Sequence, residues 1–371
     1  MSSGSDPPRT IFHVTAERGF SGGESQVFLL LERLRERGHR CVLVAPPGSR
    51  SIEEARRSGV STRTLAVRGD LDLLAAARLR RMLRGERPDV VHFHSMRAHV
   101  VGAPAARLAG VRGVVATRRM DYPIARHPLN RLAYGRCTDL VIAISEAVRA
   151  ALLDFGLPPE RVRVVRSGID LARFDAAADP RAAAARAGLP AAGPLVLCAG
   201  SLRPRKDHAT LLRAFAVAAR ALPSARLLLA GEGPERSRLT ELSRALDLDG
   251  RVLFLGERPD VPDLLAACDL FAASPRLEGL GVSVLEAMGA GRAVVATGVG
   301  GLRESVLPGE TGLLVPPGDA EGFGAALVRL LADAPARARM GRAGRSRVEA
   351  LFSAGAMAEG TERVYREALG A

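Results

Sequence analysis

Two glutamates bracket the segment EGLGVSVLE, Glu278–Glu286, and with the glycines between them could bind a sugar or a phosphate. Gly279 and Gly281 leave backbone N–H groups open to an anion at the start of the following helix. Glu286 lies in an otherwise apolar run, where a carboxylate needs hydroxyl or amide donors. A ribose would supply two hydroxyls. The alternative is a structural carboxylate that caps a neighbouring loop, and we favour the ligand interpretation.

A basic loop, GSLRPRKDH at Gly200–His208, joins a strand to a helix and contains Lys206, the only lysine of the chain. Lys206 and Arg203 could hold a diphosphate, the first as a compact charge and the second as a fork of donors. A solvated basic loop is the alternative. A single ammonium in an arginine-rich chain favours the functional interpretation.

A third candidate is FSGGESQV, Phe20–Val27, where two glycines follow a strand and open a helix. Free backbone N–H groups at Gly22 and Gly23 could approach an anion. The segment is neither GxGxxG nor a Walker loop, so a plain tight turn is an equally good interpretation.

The fourth candidate site combines residues of two segments, VVHFHS at 90–95 and TRRMDY at 117–122. His92 and His94 lie two positions apart in a strand and so point to one face, which permits a shared metal ion. No cysteine or carboxylate stands nearby in sequence, so we favour histidines that form hydrogen bonds. The acceptor-side candidates are His94, Arg118, Arg119 and Asp121.

The composition is that of a globular protein: 371 residues, 47% hydrophobic and 25% charged. The net charge is +13, of which +10 lies in residues 1–180. Charge alone does not separate nucleic acid, anionic membrane and phosphorylated ligands. Four scattered cysteines exclude a disulfide framework or zinc site and are typical of a reducing cytoplasm. Without a leader or long apolar run, we expect a cytoplasmic protein, at most peripheral at the inner face of the membrane.

Short apolar runs alternate with helical patterns along the chain, which predicts a doubly wound α/β fold. Because the runs of Val, Ile and Leu are continuous, both faces of each parallel sheet should be buried. The pattern lapses in an Ala/Pro/Gly-rich stretch at residues 175–194, which is typical of a linker. We therefore expect two domains, 1–180 and 181–352, and a last helix in 353–371.

These segments resemble the retaining nucleotide-sugar glycosyltransferases of family 4, which have the GT-B fold. The resemblance spans nearly the whole chain, and the pair of glutamates in EGLGVSVLEAM is its most specific motif. The other matching segments are GGE at 22–24, RGH at 37–39, PDVVHFHS at 88–95, SGID at 167–170, GEGPE at 231–235 and TGLLVPPGD at 311–319.

The resemblance implies two Rossmann-like doubly wound parallel-sheet domains facing an interdomain cleft. The first would bind the acceptor and the second the donor, with the last helix crossing back to the first. Implied catalytic residues are Glu278 near the reacting centre and Lys206 on the diphosphate. Implied donor-binding residues are Gly22, Gly23, Arg203, Lys206, Glu257, Arg258, Glu278, Gly279, Leu280, Gly281 and Glu286.

Two departures from the family pattern affect these roles. Ser201 stands where the family usually has an arginine, and Arg119 stands where it often has a first-domain histidine. Arg119, His94 or a substrate group could replace that histidine. The implied reaction is sugar transfer with retention by a front-side route from a UDP- or GDP-linked donor. It requires no metal and no other cofactor.

The implied acceptor is a glycan or a lipid-linked or other cell-envelope molecule. The alternatives are a nucleotide-sugar epimerase or phosphorylase of the same fold, or a non-catalytic basic binding protein. With 4% aromatic residues the chain offers few stacking platforms, so we expect no nucleic acid partner. Arg97–Arg136 contains eight arginines and one acid, which could contact an anionic membrane. Solvated helix faces are an equally good explanation.

Overall fold

The computed structural model describes residues 7–19, 22–175, 180–189 and 193–370. Phe20 and Ser21 of the first glycine segment therefore lie outside the described residues, as do 176–179 and 190–192 of the expected linker. The chain divides into two compact units: Met1–Gly168 with Ala354–Ala371, and Ile169–Ser353. The division at Gly168 and Ile169 precedes the expected boundary at 180.

The described part of the first unit contains a seven-stranded parallel sheet in the order β3-β2-β1-β4-β5-β6-β7. Its strands are β1 Thr10–Val14, β2 Arg40–Ala45, β3 Ser61–Thr64, β4 Val90–Phe93, β5 Gly113–Arg118, β6 Leu140–Ala143 and β7 Val162–Val164. Its helices are α1 Gly22–Glu36, α2 Arg50–Arg57, α3 Leu73–Glu86, α4 Met96–Ala109, α5 Pro128–Leu132, α6 Glu146–Phe155 and the last helix of the chain, α16 Ala354–Leu369.

Both faces of this sheet are buried, as the continuous apolar runs predict. Ile11 packs into the core that includes Tyr365 of α16, and its neighbour Phe12 packs into the core under α3 and α4. Strand order reverses between β1 and β4, and ligands of doubly wound sheets bind at the carboxyl ends of strands beside such a switch point.

The second unit contains a six-stranded parallel sheet in the order β10-β9-β8-β11-β12-β13, which reverses between β8 and β11. Its strands are β8 Leu195–Ala199, β9 Arg226–Ala230, β10 Val252–Gly256, β11 Leu270–Ala273, β12 Val294–Thr297 and β13 Gly312–Val315. Its helices are α7 Ala172–Asp175, α8 Pro180–Ala187, α9 His208–Ala221, α10 Arg236–Ala245, α11 Val261–Ala267, α12 Val282–Gly289, α13 Leu302–Ser305, α14 Ala320–Ala332 and α15 Ala334–Leu351.

The predicted linker differs from the structure, because its Ala-rich part forms the helix α8. Alanine favours helix, and Ala183 packs against Ala266 of α11. The structure therefore assigns Pro180–Ala187 to the second unit rather than to a featureless connection. No helix among the described residues is long and apolar enough to cross a membrane.

Candidate functional site

Lys206 and Glu278 meet at the switch point of the second sheet. Lys206 follows β8 and Glu278 follows β11, and these two strands pair side by side. The ammonium of Lys206 donates a hydrogen bond to Glu278 Oε2, and their side chains are 19% and 13% exposed. The sheet order thus brings together two predicted residues that lie far apart in sequence.

Asp207 fixes the backbone that carries Lys206. A 3₁₀ turn, Pro204–Lys206, ends at Asp207, whose φ of 45° is strained for a residue with a side chain. The Asp207 carboxylate caps α9 by accepting from the Thr210 N–H at 3.4 Å, and it also accepts from the Thr210 hydroxyl and from Arg276 Nε, each at 2.8 Å. These bonds hold the turn, so Lys206 projects from a rigid support.

Two loops approach the Lys206 loop and the Glu278 loop so closely that a side chain would not fit. A Cβ at Gly231 would lie 2.0 Å from the carbonyl oxygen of Gly200. A Cβ at Gly301 would lie 2.2 Å from the carbonyl oxygen of Gly279. These glycines allow the GEGPE loop and the loop after β12 to support the two sides of the site.

The loop Glu278–Gly281 presents backbone rather than apolar side chains. Leu280 is buried, and its carbonyl oxygen accepts from the Ser305 hydroxyl at 2.9 Å. The Glu278 carbonyl oxygen accepts from the Gly301 N–H at 3.1 Å. Gly281, at φ 83°, begins α12 without a side-chain cap, so the helix start offers its amides to a ligand.

Glu286 lies on α12, one turn after the helix begins. Burial raises the pKa of its carboxyl, and the Arg173 guanidinium opposes this rise. Arg173 Nη1 lies 3.9 Å from Glu286 Oε1. Sequence analysis missed Arg173, although it stands just after the matched SGID segment. None of the described residues donates a hydrogen bond to this carboxylate, whose one close cation is Arg173, so both oxygens are available to donors such as ribose hydroxyls.

The remaining donor-side candidates differ in their surroundings. Arg203 is exposed, and its side chain has no partner among the described residues. Glu257 is exposed as well. Arg258 is engaged by its own unit, since it donates to Asp260 Oδ1 at 2.7 Å and to the Ala187 carbonyl at 3.1 Å. In this arrangement Arg203, rather than Arg258, is available to an anion.

In the first unit, Gly22 and Gly23 are the first two residues of α1, and Gly22 is exposed. A Cβ at Gly22 would meet nothing within 4 Å. The described residues of this unit therefore leave space for a side chain at Gly22.

His92 and His94 belong to a buried cluster whose third member, His13, sequence analysis missed. His13 lies in the neighbouring strand β1, where it is paired in register with His92 of β4. His92 bonds Tyr365 Oη at 2.7 Å and Thr117 Oγ1 at 2.6 Å. His94 Nε2 lies 3.0 Å from His13 Nδ1. The ring nitrogens of the three histidines lie within 4.8 Å of one another, a spacing compatible with a metal ion, but both nitrogens of His92 and of His94 already have partners.

The three other acceptor-side candidates lie at the end of β5 or just after it, but they contact different neighbours. Arg118, 5% exposed, donates to the Tyr122 carbonyl at 2.6 Å. Arg119 donates to the carbonyl and to Nδ1 of His94, at 3.2 and 3.3 Å. Oδ1 of Asp121 is buried without a partner among the described residues. Only Arg119 contacts the histidine cluster.

The chain is similar to known proteins over most of its length. It is 32% identical to the lipopolysaccharide core biosynthesis glycosyltransferase LpsE of Rhizobium meliloti, over 90% of this chain and 93% of that protein. It is 34% identical to a GDP-mannose-dependent monoacylated alpha-(1-6)-phosphatidylinositol monomannoside mannosyltransferase of Corynebacterium glutamicum, over 73% and 74% of the two chains.

Solved structures and family models agree with these relatives. Anabaena HepE in complex with UDP superposes with a TM-score of 0.86 at 22% identity, over 97% of this chain and all of that chain, which shows the shared fold. The model for Glycosyltransferase Family 4 matches residues 20–173, and that for Glycosyl transferases group 1 matches residues 181–347. The chain is therefore a glycosyltransferase of family 4 with the GT-B fold.

Proposed function

We propose that this glycosyltransferase moves a sugar from a nucleotide-sugar donor, UDP- or GDP-linked, to a cell-envelope or lipid-linked acceptor with retention of anomeric configuration. The pairing of Lys206 with Glu278 at the switch point of the second sheet carries the proposal. Relatives named for lipopolysaccharide core and phosphatidylinositol mannoside synthesis support the acceptor class. HepE, named in complex with UDP and UDP-glucose, supports a UDP-linked donor, whereas the mannosyltransferase names a GDP-linked one.

In this scheme the donor diphosphate takes the place of Glu278 as the partner of Lys206. Arg203, exposed and without a side-chain partner in the described chain, adds a second cation. The open amides at Gly281 face the phosphates or the sugar, and Glu286 accepts hydrogen bonds from the ribose hydroxyls. Glu278, released from Lys206, contacts the donor sugar.

The reaction forms one bond and breaks one at the anomeric carbon. The acceptor oxygen bonds to that carbon on the face from which the diphosphate oxygen departs, and the acceptor proton passes to the departing phosphate. Negative charge grows on the diphosphate, so preorganised donors such as Lys206 contribute most to the rate. The scheme uses no metal ion or organic cofactor.

The proposed donor is tested first by binding. A thermal-shift panel of UDP-, GDP- and ADP-sugars should raise the unfolding temperature for one nucleotide class, because binding to the folded state stabilises it. The selected donor, radiolabelled, is then incubated with a lipid-linked glycan fraction, and the anomeric configuration of the product is determined by NMR. Product with inverted configuration, or epimerised donor without transfer, would contradict the proposal.

Peripheral contact with an anionic membrane is a further part of the proposal, and α3 supports it better than the whole basic segment Arg97–Arg136 does. Arg119 of that segment bonds His94, and Arg107 pairs with Asp139. At the start of α3, by contrast, three leucines are exposed by 60–79%, and three exposed arginines follow on the same helix. These residues are Leu71, Leu73, Leu74, Arg78, Arg81 and Arg84.

Exposed leucines beside a cationic helix face suit the interface of a bilayer that contains acidic lipids. Replacing Leu71, Leu73 and Leu74 by serine should reduce sedimentation with vesicles of phosphatidylglycerol and phosphatidylcholine at low salt. Leu351→Ser, at a leucine that is 43% exposed in α15, is the matched control. Equal sedimentation of both variants and the parent protein would exclude this surface.

A further inference from the structure

Arg119 carries a positive charge that forms no ion pair with the described residues of its unit. Two of its guanidinium nitrogens donate to His94, and its Nε–H is buried without a partner among the described residues. Burial lowers the pKa of Arg119 to about 10, and the charge of Glu24 opposes the shift. Arg119 therefore stays protonated near neutral pH, in a place where an unpaired charge is costly.

The contact with Arg119 sets the direction of the hydrogen bonds in the cluster. Arginine only donates, so His94 Nδ1 must carry a lone pair and His94 Nε2 must carry the proton. His94 Nε2–H then donates to His13 Nδ1, 3.0 Å away. His13, a neutral histidine whose Nδ1 accepts, must therefore carry its proton on Nε2.

The series of hydrogen bonds that runs from Arg119 through His94 to His13 ends in a donor, the Nε2–H of His13. His13 is fully buried, and its Nε2 has no partner among the described residues. An unsatisfied buried donor destabilises the fold, so its persistence calls for a ligand or a water. The field of Arg119 reaches this ring, because it contributes to lowering the pKa of His13. An acceptor placed at His13 Nε2 therefore gains more if it is negatively charged.

The position in the fold also suits a ligand. His13 lies in β1 and His94 directly after β4, at the switch point of the first sheet. His92 is satisfied by Tyr365 and Thr117 and adds no free donor. The two atoms without a partner in this series of hydrogen bonds, Arg119 Nε and His13 Nε2, are therefore both donors, and they lie next to one positive charge. This combination fits an anion better than a neutral hydroxyl or a metal ion.

We propose that Arg119, His94 and His13 form a phosphoryl-binding site, in which the His13 Nε2–H donates to a phosphoryl oxygen and Arg119 supplies the charge. The inference rests on the proposed function for the source of the phosphoryl group, which is a phosphorylated acceptor. It also assigns His13 and His94 a binding role and no role as general base, since each presents a proton and no free lone pair.

The test measures binding to the full chain by calorimetry, in a Lys206→Ala background that weakens the diphosphate site of the second unit. The probes are sn-glycerol 3-phosphate, UDP and, as a neutral control, glycerol. His13→Asn keeps an acceptor for His94 but lacks the outer donor, whereas His13→Gln places an amide near Nε2. Arg119→Gln removes the charge, and Arg131→Gln is the matched control at an exposed arginine of α5.

We expect His13→Asn and Arg119→Gln to weaken glycerol 3-phosphate binding about tenfold, with His13→Gln and Arg131→Gln close to the parent. A loss seen with UDP alone would overturn the assignment of an acceptor phosphate to this site. If His13→Asn does not fold, Arg119→Lys, which keeps the charge, should bind where Arg119→Gln does not. Equal binding by all variants, or no binding of either phosphate by the parent, would overturn the site. Failure of the proposed function would instead appear as unchanged turnover on Lys206→Ala in the otherwise unaltered chain.

Discussion

The Lys206 ammonium is bound by the Glu278 carboxylate across the switch point of the second sheet. Glu278 forms an ion pair with the Lys206 ammonium and holds this cation at the carboxyl ends of β8 and β11. In the proposed function, a diphosphate that binds Lys206 displaces this carboxylate, which is then released toward the bound donor. The pair would thereby couple diphosphate binding to the placement of Glu278.

Lys206→Ala should reduce turnover about 10²–10³-fold, as the loss of one preorganised donor at a developing anion does. Steady-state kinetics with saturating donor measures this change. Arg205→Ala removes a neighbouring cation that we assign no role in binding or catalysis, and it should keep turnover within a few-fold. Near-normal turnover of Lys206→Ala would exclude the assigned role.

Glu278→Gln should have opposite effects on diphosphate affinity and on rate. Removal of the competing carboxylate should tighten UDP or GDP binding about three- to tenfold, because Lys206 no longer has to be released. Turnover should fall, since the carboxylate at the donor sugar is lost. Calorimetry and kinetics on the same preparation test both effects. Weaker nucleotide binding would indicate that Glu278 positions Lys206 and does not compete for it.

Glu286→Gln should remove the preference for a ribose. A buried carboxylate accepts from two hydroxyls, whereas an amide accepts less strongly and places a donor against them. We expect the parent protein to bind the ribonucleoside diphosphate of the selected base at least tenfold more tightly than the 2′-deoxy form. The variant should bind the two about equally. A variant that keeps the full preference would place the ribose elsewhere.

The sequence predicts the fold through its buried strands but misses some of the edges. The continuous apolar runs of β1, β4 and β8 predict doubly wound sheets because strands buried on both faces have little other composition. The edge strand β3, with the polar sequence STRT, and the three-residue β7 lack that signal. Their pairing depends on a neighbouring strand, and local composition does not reveal it.

The site is predictable where its residues share one segment and less so where tertiary contacts assemble it. Glu278, the glycines and Glu286 lie in one motif, and the lone Lys206 stands out by type. His13 had no signal beyond its place at the end of an apolar strand, since its role depends on the register between β1 and β4. The engagement of Arg258 by Asp260 is likewise a local ion pair that the motif comparison did not predict.

Gly301→Ala should displace the Glu278–Gly281 loop by a steric clash with its backbone. The φ of Gly301 is −69°, so an alanine is not strained by its backbone angles, but its Cβ would lie 2.2 Å from the Gly279 carbonyl oxygen and 2.7 Å from Leu280 Cα. We expect a loss of about 1–3 kcal/mol in unfolding free energy, and weaker donor binding by the displaced loop. Chemical denaturation and a nucleotide titration measure these effects. Gly85→Ala in α3, where a Cβ meets nothing within 4 Å, should be neutral or stabilising.

Buried histidines should make the protein sensitive to mild acid. Burial lowers the pKa of His13 and His99 to about 3 and that of His208 to about 4, and it lowers the pKa values of His92 and His94 as well. In the unfolded chain these groups take up protons below about pH 6.5. In the folded protein His13, His99 and His208 stay neutral until about pH 4. The unfolded state thus binds more protons, so stability falls as the pH drops through this window, by up to about 1.4 kcal/mol per pH unit for each histidine.

Denaturation series between pH 6.5 and 4.5 isolate this effect, because most carboxyl groups titrate at lower pH. His99 is the suitable probe, since it does not belong to the hydrogen-bonded series of Arg119, His94 and His13 and instead bonds Thr138 Oγ1 at 2.7 Å. His99→Gln should lower the unfolding free energy at pH 7.5. It should also reduce the slope of unfolding free energy against pH by the contribution of one histidine. His127→Gln, at an exposed histidine, is the matched control variant. A slope that stays the same in His99→Gln would mean that this ring takes up its proton without unfolding.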